Sequence, residues 1–357
     1  MIKITYIAVL NRERNLGIVN KIEGFVESLR INGFDVEMII IDSSDDFIAK
    51  VSHSLALSKA DVVILRSLSY HNFYLINAFR RFRKRGGKLL IDVPTPNKNS
   101  IRELYYSKNT LSTRIRAIFY VIATGPVPYF FVDRIFQYAK EGTWFKLGNK
   151  NKTILIGNGI NVESVPYLKE LGPFNGSQLR LIVVATINYW HGIDRLIKSI
   201  SLFNSRNTDR SVHLDIVGDG PSLAELKVLV EEYDQSVFIH FHGLLKGNDL
   251  HSIYSNAHVG VGSMGLHRLG LKSASILKLR EYAAAGLPFI YSGFDPDFVG
   301  DIPFAFQVSS SENTEDLCLI FDTLFDKYPF IDRKQIRDFA MKNLDFKVKS
   351  VEMLKGL

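Results

Sequence analysis

Cysteine is nearly absent from this chain, since Cys318 is the single cysteine among 357 residues. A disulfide within the chain is therefore excluded, and a reducing compartment is expected. A signal peptide is not expected either. The apolar start Ile4–Leu10 is short, lacks a cleavage site and runs into the charged stretch Asn11–Arg14. The sequence accordingly predicts a cytoplasmic protein.

Long hydrophobic runs are also missing. The most apolar later stretch, Ala117–Phe131, is interrupted by Gly125, Pro126 and Pro128. It is too short and too broken to span a bilayer, which takes about 20 apolar residues. With 46% hydrophobic and 23% charged residues, the composition is that of a soluble globular protein. The length allows two ordinary domains.

The excess of positive over negative charge lies entirely in the first half of the chain. Residues 1–175 hold 25 Lys and Arg against 15 Asp and Glu, whereas residues 176–357 hold 19 against 22. Such asymmetry concerns partners rather than fold, and it indicates either nucleic acid or an anionic membrane surface.

Strand and helix patterns alternate in both halves, which predicts an α/β protein of two Rossmann-like domains. We expect a first domain at 1–170, a second at 171–340 and a helical tail at 341–357 that can cross back to the first domain. The loop-like composition of residues 168–178 marks the boundary. Residues 110–148 are predicted to be mostly helical. Ligands are expected in a cleft between the carboxyl ends of the strands.

The segment Lys272–Pro288 is the most informative part of the sequence. It reads as a basic loop, then a helix over Ser275–Ala285, then Gly-x-Pro before an apolar strand. No acid occurs between Val259 and Arg280, after which Glu281 stands alone. Cations and free N–H groups at a helix N-terminus suit a phosphate, and a carboxylate further along suits a sugar hydroxyl. The pattern predicts a site for a nucleoside diphosphate sugar.

The second half resembles the donor domain of GT-B fold glycosyltransferases, specifically glycosyltransferase family 4 and its relatives in bacterial capsule, exopolysaccharide and O-antigen assembly. The motifs that carry the resemblance are Asn158-Gly159-Ile160, Trp190-His191-Gly192-Ile193-Asp194-Arg195-Leu196-Ile197, Val217-Gly218-Asp219-Gly220-Pro221 and Leu277–Pro288. Their order and spacing are more specific than any one of them.

The resemblance gives Glu281 a role. It matches the second glutamate of the family's Glu-x7-Glu pattern, which implies binding of the ribose hydroxyls; an exposed helix glutamate is the alternative. The first glutamate of the pattern is here Ser273, so the sugar contacts are expected from the backbone of Gly270–Ser275, including Ala274. Ser273 and Ser275 also suit N-caps, a role that competes with phosphate for the same N–H groups.

Other residues must replace the cations with which the family holds the diphosphate, because those positions are here Thr186 and His191. Lys278 is the best candidate, since it lies one turn before Glu281 on the same helix face; a surface ion pair with Glu281 is the alternative. His191 could donate to a phosphate or cap its loop. The cations available besides Lys278 are Lys272, Arg195 and Arg280. Arg280 points elsewhere and is expected to be structural.

The donor side also includes glycines. Gly218 belongs to a strand-to-helix turn that resembles the family's Gly-x-Gly turn near the nucleotide, and Gly243 is placed with it. The turn lacks the third glycine of a dinucleotide fingerprint, so NAD is not expected. Asp295-Pro296-Asp297 resembles the metal site of the other glycosyltransferase fold, but this match is interpreted as chance. We expect no metal and no cofactor.

In the first domain, Asp92 follows an apolar strand and is the candidate catalytic residue, to contact or activate an acceptor hydroxyl. Capping of a neighbouring loop is the alternative. Thr95 comes just after it on the acceptor side. Arg66 and His71 occupy the end of the preceding strand in the same way.

Basic residues mix with aromatic residues in the first half. Arg80–Arg85 and Lys88 form one cluster, and Arg114, Arg116 and Lys140 flank aromatic segments at 117–138. A run of charged residues usually forms a surface that is exposed to solvent and has no binding role. Here the mixture predicts an interfacial anchor at the inner face of the cytoplasmic membrane. Nucleic acid is not expected, because no recognition motif accompanies the charge.

These patterns together predict a glycosyltransferase that moves a sugar from a nucleotide sugar to a glycan, plausibly lipid-linked, in surface polysaccharide synthesis. The resemblance implies retention of the anomeric configuration, whereas Asp92 as a base would suit inversion. A non-catalytic GT-B-like subunit that binds nucleotide or lipid-linked glycan is the alternative, supported by Ser273. A nucleotide-sugar epimerase of related fold is a third possibility that would not need a basic membrane face.

Overall fold

The computed structural model describes residues 1–12, 15–43, 46–106, 110–168 and 174–355. The chain divides into two compact units. The first unit joins Met1–Ile160 with Asp345–Leu357, and the second unit is Asn161–Leu344. The predicted boundaries, after residues 170 and 340, differ from these by ten residues and by four. No helix among the described residues is both long enough and apolar enough to cross a membrane.

Six parallel strands form the sheet of the first unit, in the order β2-β1-β3-β4-β5-β6. The strands are β1 Lys3–Val9, β2 Asp35–Ile41, β3 Val62–Arg66, β4 Lys88–Val93, β5 Arg134–Gln137 and β6 Thr153–Leu155. The helices are α1 Leu16–Ile31, α2 Phe47–Leu57, α3 Ile76–Lys84, α4 Asn97–Tyr106 and α5 Leu111–Thr124. Alternate residues of one strand enter different cores, since Ile4 packs on one face of the sheet and Ile7 on the other. Burial on both faces explains why these strands read as continuous apolar runs.

The second unit repeats this architecture, with six parallel strands in the order β12-β11-β10-β7-β8-β9. The strands are β7 Gln178–Val184, β8 Ser211–Val217, β9 Ile239–Gly243, β10 Val259–Val261, β11 Phe289–Ser292 and β12 Ala305–Val308. The helices are α6 Ile193–Arg206, α7 Leu223–Glu232, α8 Gly247–Asn256, α9 Leu277–Ala285, α10 Glu315–Lys327 and α11 Arg333–Asn343. The predicted fold class of two α/β Rossmann-like units is confirmed.

One helical prediction is wrong in part. Of residues 110–148, only Leu111–Thr124 is α-helical, and Arg134–Gln137 is the strand β5. This four-residue strand is too short to show a period of its own between aromatic segments. It is a strand because it pairs on both sides, for example Phe136 with Asp92 of β4 and with Ile154 of β6.

The last helix, α12 Phe346–Leu354, belongs to the first unit and packs on α1. Asp345 caps it by accepting from the Lys347 N–H at 2.8 Å. The Phe346 ring fills the space left by Gly24 and Gly159, where an added Cβ would lie 2.9 Å and 2.4 Å from it. The glycine in α1 therefore serves helix packing, at a known cost in helix propensity.

Candidate functional site

The N-terminus of α9 is fixed by a buried charge cluster. The Arg280 guanidinium is fully buried and donates to both oxygens of Asp295 and to Asp297. The Oδ2 of Asp295, which Arg280 also contacts, accepts from the Ile276 N–H at 3.3 Å. Burial opposes the charge of Arg280, but the two carboxylates outweigh it and raise the pKa of the guanidinium. The carboxylates of the Asp-x-Asp sequence are thus bound to an arginine.

The predicted helix start at Ser275 is wrong by two residues. The helix begins at Leu277, and its N-cap is Ile276, which has an extended backbone and no polar side chain. Neither serine is the cap, because the Asp295 carboxylate, distant in sequence, supplies the acceptor.

The residues just before α9 are hydrogen-bonded to the backbone of Phe294. Ser273 is buried and forms a parallel bridge with Phe294, and the Ala274 N–H donates to the Phe294 carbonyl at 3.0 Å. The Ala274 N–H is therefore not free for the sugar contact expected from this stretch of backbone. Lys272 is exposed, and Ser275 is half-buried.

Lys278 and Glu281 form an ion pair one turn apart on α9, with side chains 31% and 36% exposed. Each lines a different pocket. Lys278 contributes to an open pocket of about 680 Å³, the Lys278 pocket, at the carboxyl ends of β7 and β10. Its remaining walls are largely apolar: Trp190, Leu266, Leu269, Leu271 and Ile276, with His191 and Ser263 among the polar members.

Glu281 lines an open pocket of about 710 Å³, the Glu281 pocket, between α8, α9 and Ser164–Leu168. Tyr254 of α8 is also in its wall, and the buried Tyr254 hydroxyl has no hydrogen-bond partner among the described residues. Burial raises the pKa of this tyrosine well above its usual value, and Glu281 adds to the shift. A buried hydroxyl without a partner is costly unless a ligand satisfies it. Sequence reasoning missed Tyr254 because nothing in the pattern of α8 sets it apart.

His191 both caps its loop and lines the Lys278 pocket. Its Nδ1 accepts from the Asn188 N–H at 3.2 Å, and its carbonyl accepts from the Met264 N–H at 2.7 Å. Burial lowers the pKa of His191, and a hydrogen bond with the Thr186 backbone opposes this shift. The imidazole is therefore mainly neutral at pH 7, so any contact with phosphate would be as a neutral donor.

The structure contradicts the predicted phosphate contact of Arg195. Its side chain is fully buried and donates to the carbonyls of Asn313, Met264 and Ser309 and to the Asp316 carboxylate. These bonds attach the start of α6 to the loop before α10. They occupy the guanidinium, which has a structural role.

Of the two predicted glycines, Gly218 is required by packing. Its φ is +132°, and an added Cβ would lie 1.9 Å from the Ala185 carbonyl oxygen. The Gly218 N–H donates to the Gly243 carbonyl at 2.7 Å, which joins the ends of β8 and β9. Gly243 has open space within 4 Å of its Cβ position, so only this glycine leaves room for a ligand.

The residues predicted for the acceptor side lie in the first unit. Asp92, near the end of β4, is buried, and its Oδ2 accepts from the Tyr6 hydroxyl at 2.5 Å and from Arg66 at 3.4 Å. Its Oδ1 is buried without a partner among the described residues. Asp92, Tyr6 and Tyr138 line a narrow cavity together with Lys21 and Lys349. Burial, with the Asp92 charge, raises the pKa of both tyrosines.

The structure brings Arg66 to Asp92 but places His71 elsewhere. His71 lies on a 3₁₀ turn after β3, where its ring is 4.0 Å from the Tyr70 ring and 5.2 Å from the Phe47 ring. Burial lowers its pKa. Thr95 is half-buried in the turn after β4.

Comparisons with known proteins agree with this architecture. Residues 168–295 match the family model of glycosyl transferases group 1. That segment includes the whole Lys278 pocket and all of the Glu281 pocket except Ser164–Pro166. A comparison with curated proteins gives no match.

Solved structures of similar fold match nearly the whole chain. The lipopolysaccharide outer core galactosyltransferase WaaB is 13% identical with a TM-score of 0.66, covering 98% of each chain. HepE of Anabaena, in complex with UDP and glucose, is 13% identical with a TM-score of 0.67 over 100% of each chain. Sucrose-phosphate synthase of Thermosynechococcus elongatus is 14% identical with a TM-score of 0.65, covering 99% of this chain and 97% of that one.

These likenesses establish the GT-B fold, and the matched segment makes the second unit a glycosyl transferases group 1 domain. The chain is a glycosyltransferase. Its donor, its acceptor and the stereochemistry of transfer are separate questions.

Proposed function

We propose that the chain transfers a sugar from a nucleoside diphosphate sugar, bound by the second unit, to a hydroxyl of a glycan. The observation that carries this proposal is the position of α9. One of its faces presents a cation to the Lys278 pocket and, one turn later, a carboxylate to the neighbouring Glu281 pocket. A nucleotide sugar offers the complementary groups in the same order, a diphosphate followed by a ribose. HepE, which shares the fold, is in complex with UDP and glucose.

The Glu281 pocket would hold the nucleoside. A carboxylate accepts hydrogen bonds from two adjacent hydroxyls, as the ribose offers. The Tyr254 hydroxyl, which has no partner among the described residues, would satisfy its hydrogen bond on the same nucleoside.

The Lys278 pocket would hold the diphosphate and the sugar. Lys278, at the second position of α9, would compensate the charge of the leaving diphosphate together with the helix dipole. This proposal invokes no metal ion and no cofactor. The sugar would meet the walls of this pocket, because Ser273 is held in its bridge with Phe294.

For the reaction we propose transfer with retention to a lipid-linked glycan in surface polysaccharide synthesis, at the inner face of the cytoplasmic membrane. The acceptor hydroxyl attacks the anomeric carbon on the side from which the diphosphate leaves. The new carbon–oxygen bond forms as the bond to phosphate breaks, and a diphosphate oxygen takes the hydroxyl proton. Asp92 would hold the acceptor; as a base on the opposite side it would give inversion instead.

The first experiment is a thermal-shift screen of the purified chain against UDP, GDP, dTDP, ADP and CMP, each with and without its common sugars. A ligand that binds only the folded state raises the melting temperature by mass action. A shift with one nucleotide, and turnover of its sugar conjugate, are expected. Binding without transfer to any glycan would contradict the enzymatic proposal, and no binding at all would contradict the donor site.

Lys278→Ala tests the division between the two pockets. It should weaken binding of the nucleoside diphosphate about tenfold and leave binding of the bare nucleoside unchanged, because only the diphosphate meets the cation. Calorimetry with both ligands measures this difference. Lys327→Ala, an exposed lysine on α10, is the matched control. Equal affinities for wild type and Lys278→Ala would reduce Lys278 to a surface ion pair.

A further inference from the structure

Helix α5 presents its apolar side to solvent. At 100° per residue, Leu111, Ile115, Phe119 and Ile122 fall within an arc of about 80° on the helix. These four side chains are between 46% and 65% exposed, whereas Val121 is buried. A surface helix normally turns its apolar face toward the core. In α5 the larger apolar face is the outer one.

Aromatic and aliphatic side chains outside α5 extend this surface. Trp144 is half-exposed, and its indole N–H donates to the Ile122 carbonyl at 2.8 Å. Leu147 is also about half-exposed. On the other flank, the ring of Tyr120 stacks on that of Tyr70. We call Leu111, Ile115, Phe119, Ile122, Trp144 and Leu147 the α5 surface.

The charge in the segment that contains the α5 surface is mainly positive. Residues 97–152 contain ten Lys and Arg but three Asp and Glu. Of those acids, Glu141 is buried and accepts from the N–H groups of Asn97 and Lys98 at 2.7 Å and 3.0 Å. Asp133 forms an ion pair with Arg83 at 2.8 Å. Helix α5 itself carries Arg114 and Arg116 and no acid.

The exposed apolar side chains and the basic residues around them indicate what binds to the α5 surface. Exposed aliphatic groups, a tryptophan with its N–H satisfied and a basic border complement the interfacial region of an anionic bilayer. A second copy of the chain would oppose basic residues to basic residues across such a contact, which is unfavourable.

We propose that the α5 surface inserts into the headgroup region of an anionic phospholipid bilayer, with the surrounding Lys and Arg side chains on the lipid phosphates. This inference rests on one part of the proposed function, the lipid-linked acceptor. The α5 surface would bring the first unit to the membrane in which that acceptor is held.

The test is co-sedimentation of the full chain with vesicles of phosphatidylcholine, alone or with 30% phosphatidylglycerol. Wild type should bind the anionic vesicles at least tenfold more tightly, and more weakly as salt is added. I115E/F119E should lose at least tenfold in binding to the anionic vesicles, and Arg116→Glu a few-fold. The control L319E/V237E changes two exposed apolar residues of the second unit and should bind like wild type.

A site-specific readout is the fluorescence of Trp144. In a Trp190→Phe background, Trp144 is the remaining tryptophan. Its emission should shift to the blue on anionic vesicles and be quenched by brominated lipid. An unshifted emission, or equal vesicle binding by wild type and I115E/F119E, would overturn the proposal.

Two further results decide between related explanations. A wild-type dimer in sedimentation velocity that I115E/F119E dissociates would assign the surface to a second copy and overturn the membrane proposal. Vesicle binding needs neither donor nor glycan, so it is measured independently of transfer. The melting temperature and the circular dichroism spectrum of I115E/F119E should equal those of wild type, and loss of vesicle binding by this folded variant supports the proposal.

Discussion

Each unit contains a buried arginine–aspartate cluster, and the two clusters differ in how their carboxylates are bonded. In the second unit, both oxygens of Asp295 accept bonds from Arg280, and each also accepts a backbone N–H. In the first unit, Oδ2 of Asp92 accepts from Tyr6 and Arg66, whereas Oδ1 is buried with no partner among the described residues. A closed cluster fixes backbone. An open cluster, with one oxygen left unpaired, costs stability unless a ligand satisfies it, which is the role proposed for Asp92.

The largest expected effect comes from breaking the closed cluster. Arg280→Met leaves Asp295 and Asp297 buried without their cation and should lower the free energy of unfolding by about 3–5 kcal/mol. Urea denaturation measures the change. Arg206→Ala removes an exposed ion pair with Glu315 and should lower the free energy of unfolding far less than Arg280→Met does. Similar losses in both variants would show that the buried cluster is not a special support of α9.

Substitution of Asp92 in the open cluster should change the rate of transfer. Asp92→Asn removes a negative acceptor at the cavity and should lower the rate of transfer about 100-fold, the scale of the loss when a reacting hydroxyl is misplaced. Nucleotide affinity should stay at the wild-type value, since Asp92 lies in the first unit. Steady-state kinetics and calorimetry measure the two quantities, with Asp35→Asn as an exposed control. Full activity of Asp92→Asn would show that Asp92 has only the alternative role, support of a neighbouring loop.

Substitution of Glu281 should weaken the binding of the nucleoside itself. Glu281→Ala removes the carboxylate proposed for the ribose and should weaken both nucleoside and nucleoside diphosphate by more than about 1.5 kcal/mol, the scale of a charge-assisted hydrogen bond. Calorimetry compares it with Glu232→Ala, an exposed glutamate at the end of α7. Unchanged affinity for both ligands would remove Glu281 from the site.

The smallest effect concerns the exposed carboxylate of Glu312, which Arg268 and His267 contact. Bonds from Arg268, then from His267, hold the pKa of Glu312 down at about 2. A lowered pKa means that this stabilisation is present above the usual carboxylate pKa and is lost as pH falls toward 2. The stability difference between wild type and Glu312→Gln should therefore be below about 1 kcal/mol at pH 7 and shrink from pH 5 to pH 2. Denaturation curves of both proteins at several pH values measure this difference. A difference in stability that stays constant from pH 5 to pH 2 would contradict the prediction.

Local pattern was enough to predict the α/β alternation, the position of Lys278 and Glu281 on one helix, and the structural role of Arg280. It failed where partners come from distant sequence. Arg195 was assigned to phosphate because its contacts, Ser309, Asn313 and Asp316, lie more than 100 residues further along. The serines before α9 were expected to cap it, although the acceptor is Asp295. The open oxygen of Asp92 and the hydroxyl of Tyr254 could not be recognised, because lack of a partner is a property of the folded structure.

The return of α12 to the first unit has a consequence for synthesis on the ribosome. The Phe346 N–H donates to the Ile160 carbonyl at 2.9 Å, and the Phe346 ring packs against α1. The first unit therefore needs residues that are translated after all of Asn161–Leu344. At the usual 5–20 residues per second, the nascent first unit waits roughly 10 to 40 s with the apolar side of α1 uncovered. In that interval α1 is a surface that a chaperone can bind, and the second unit can fold before the first is complete.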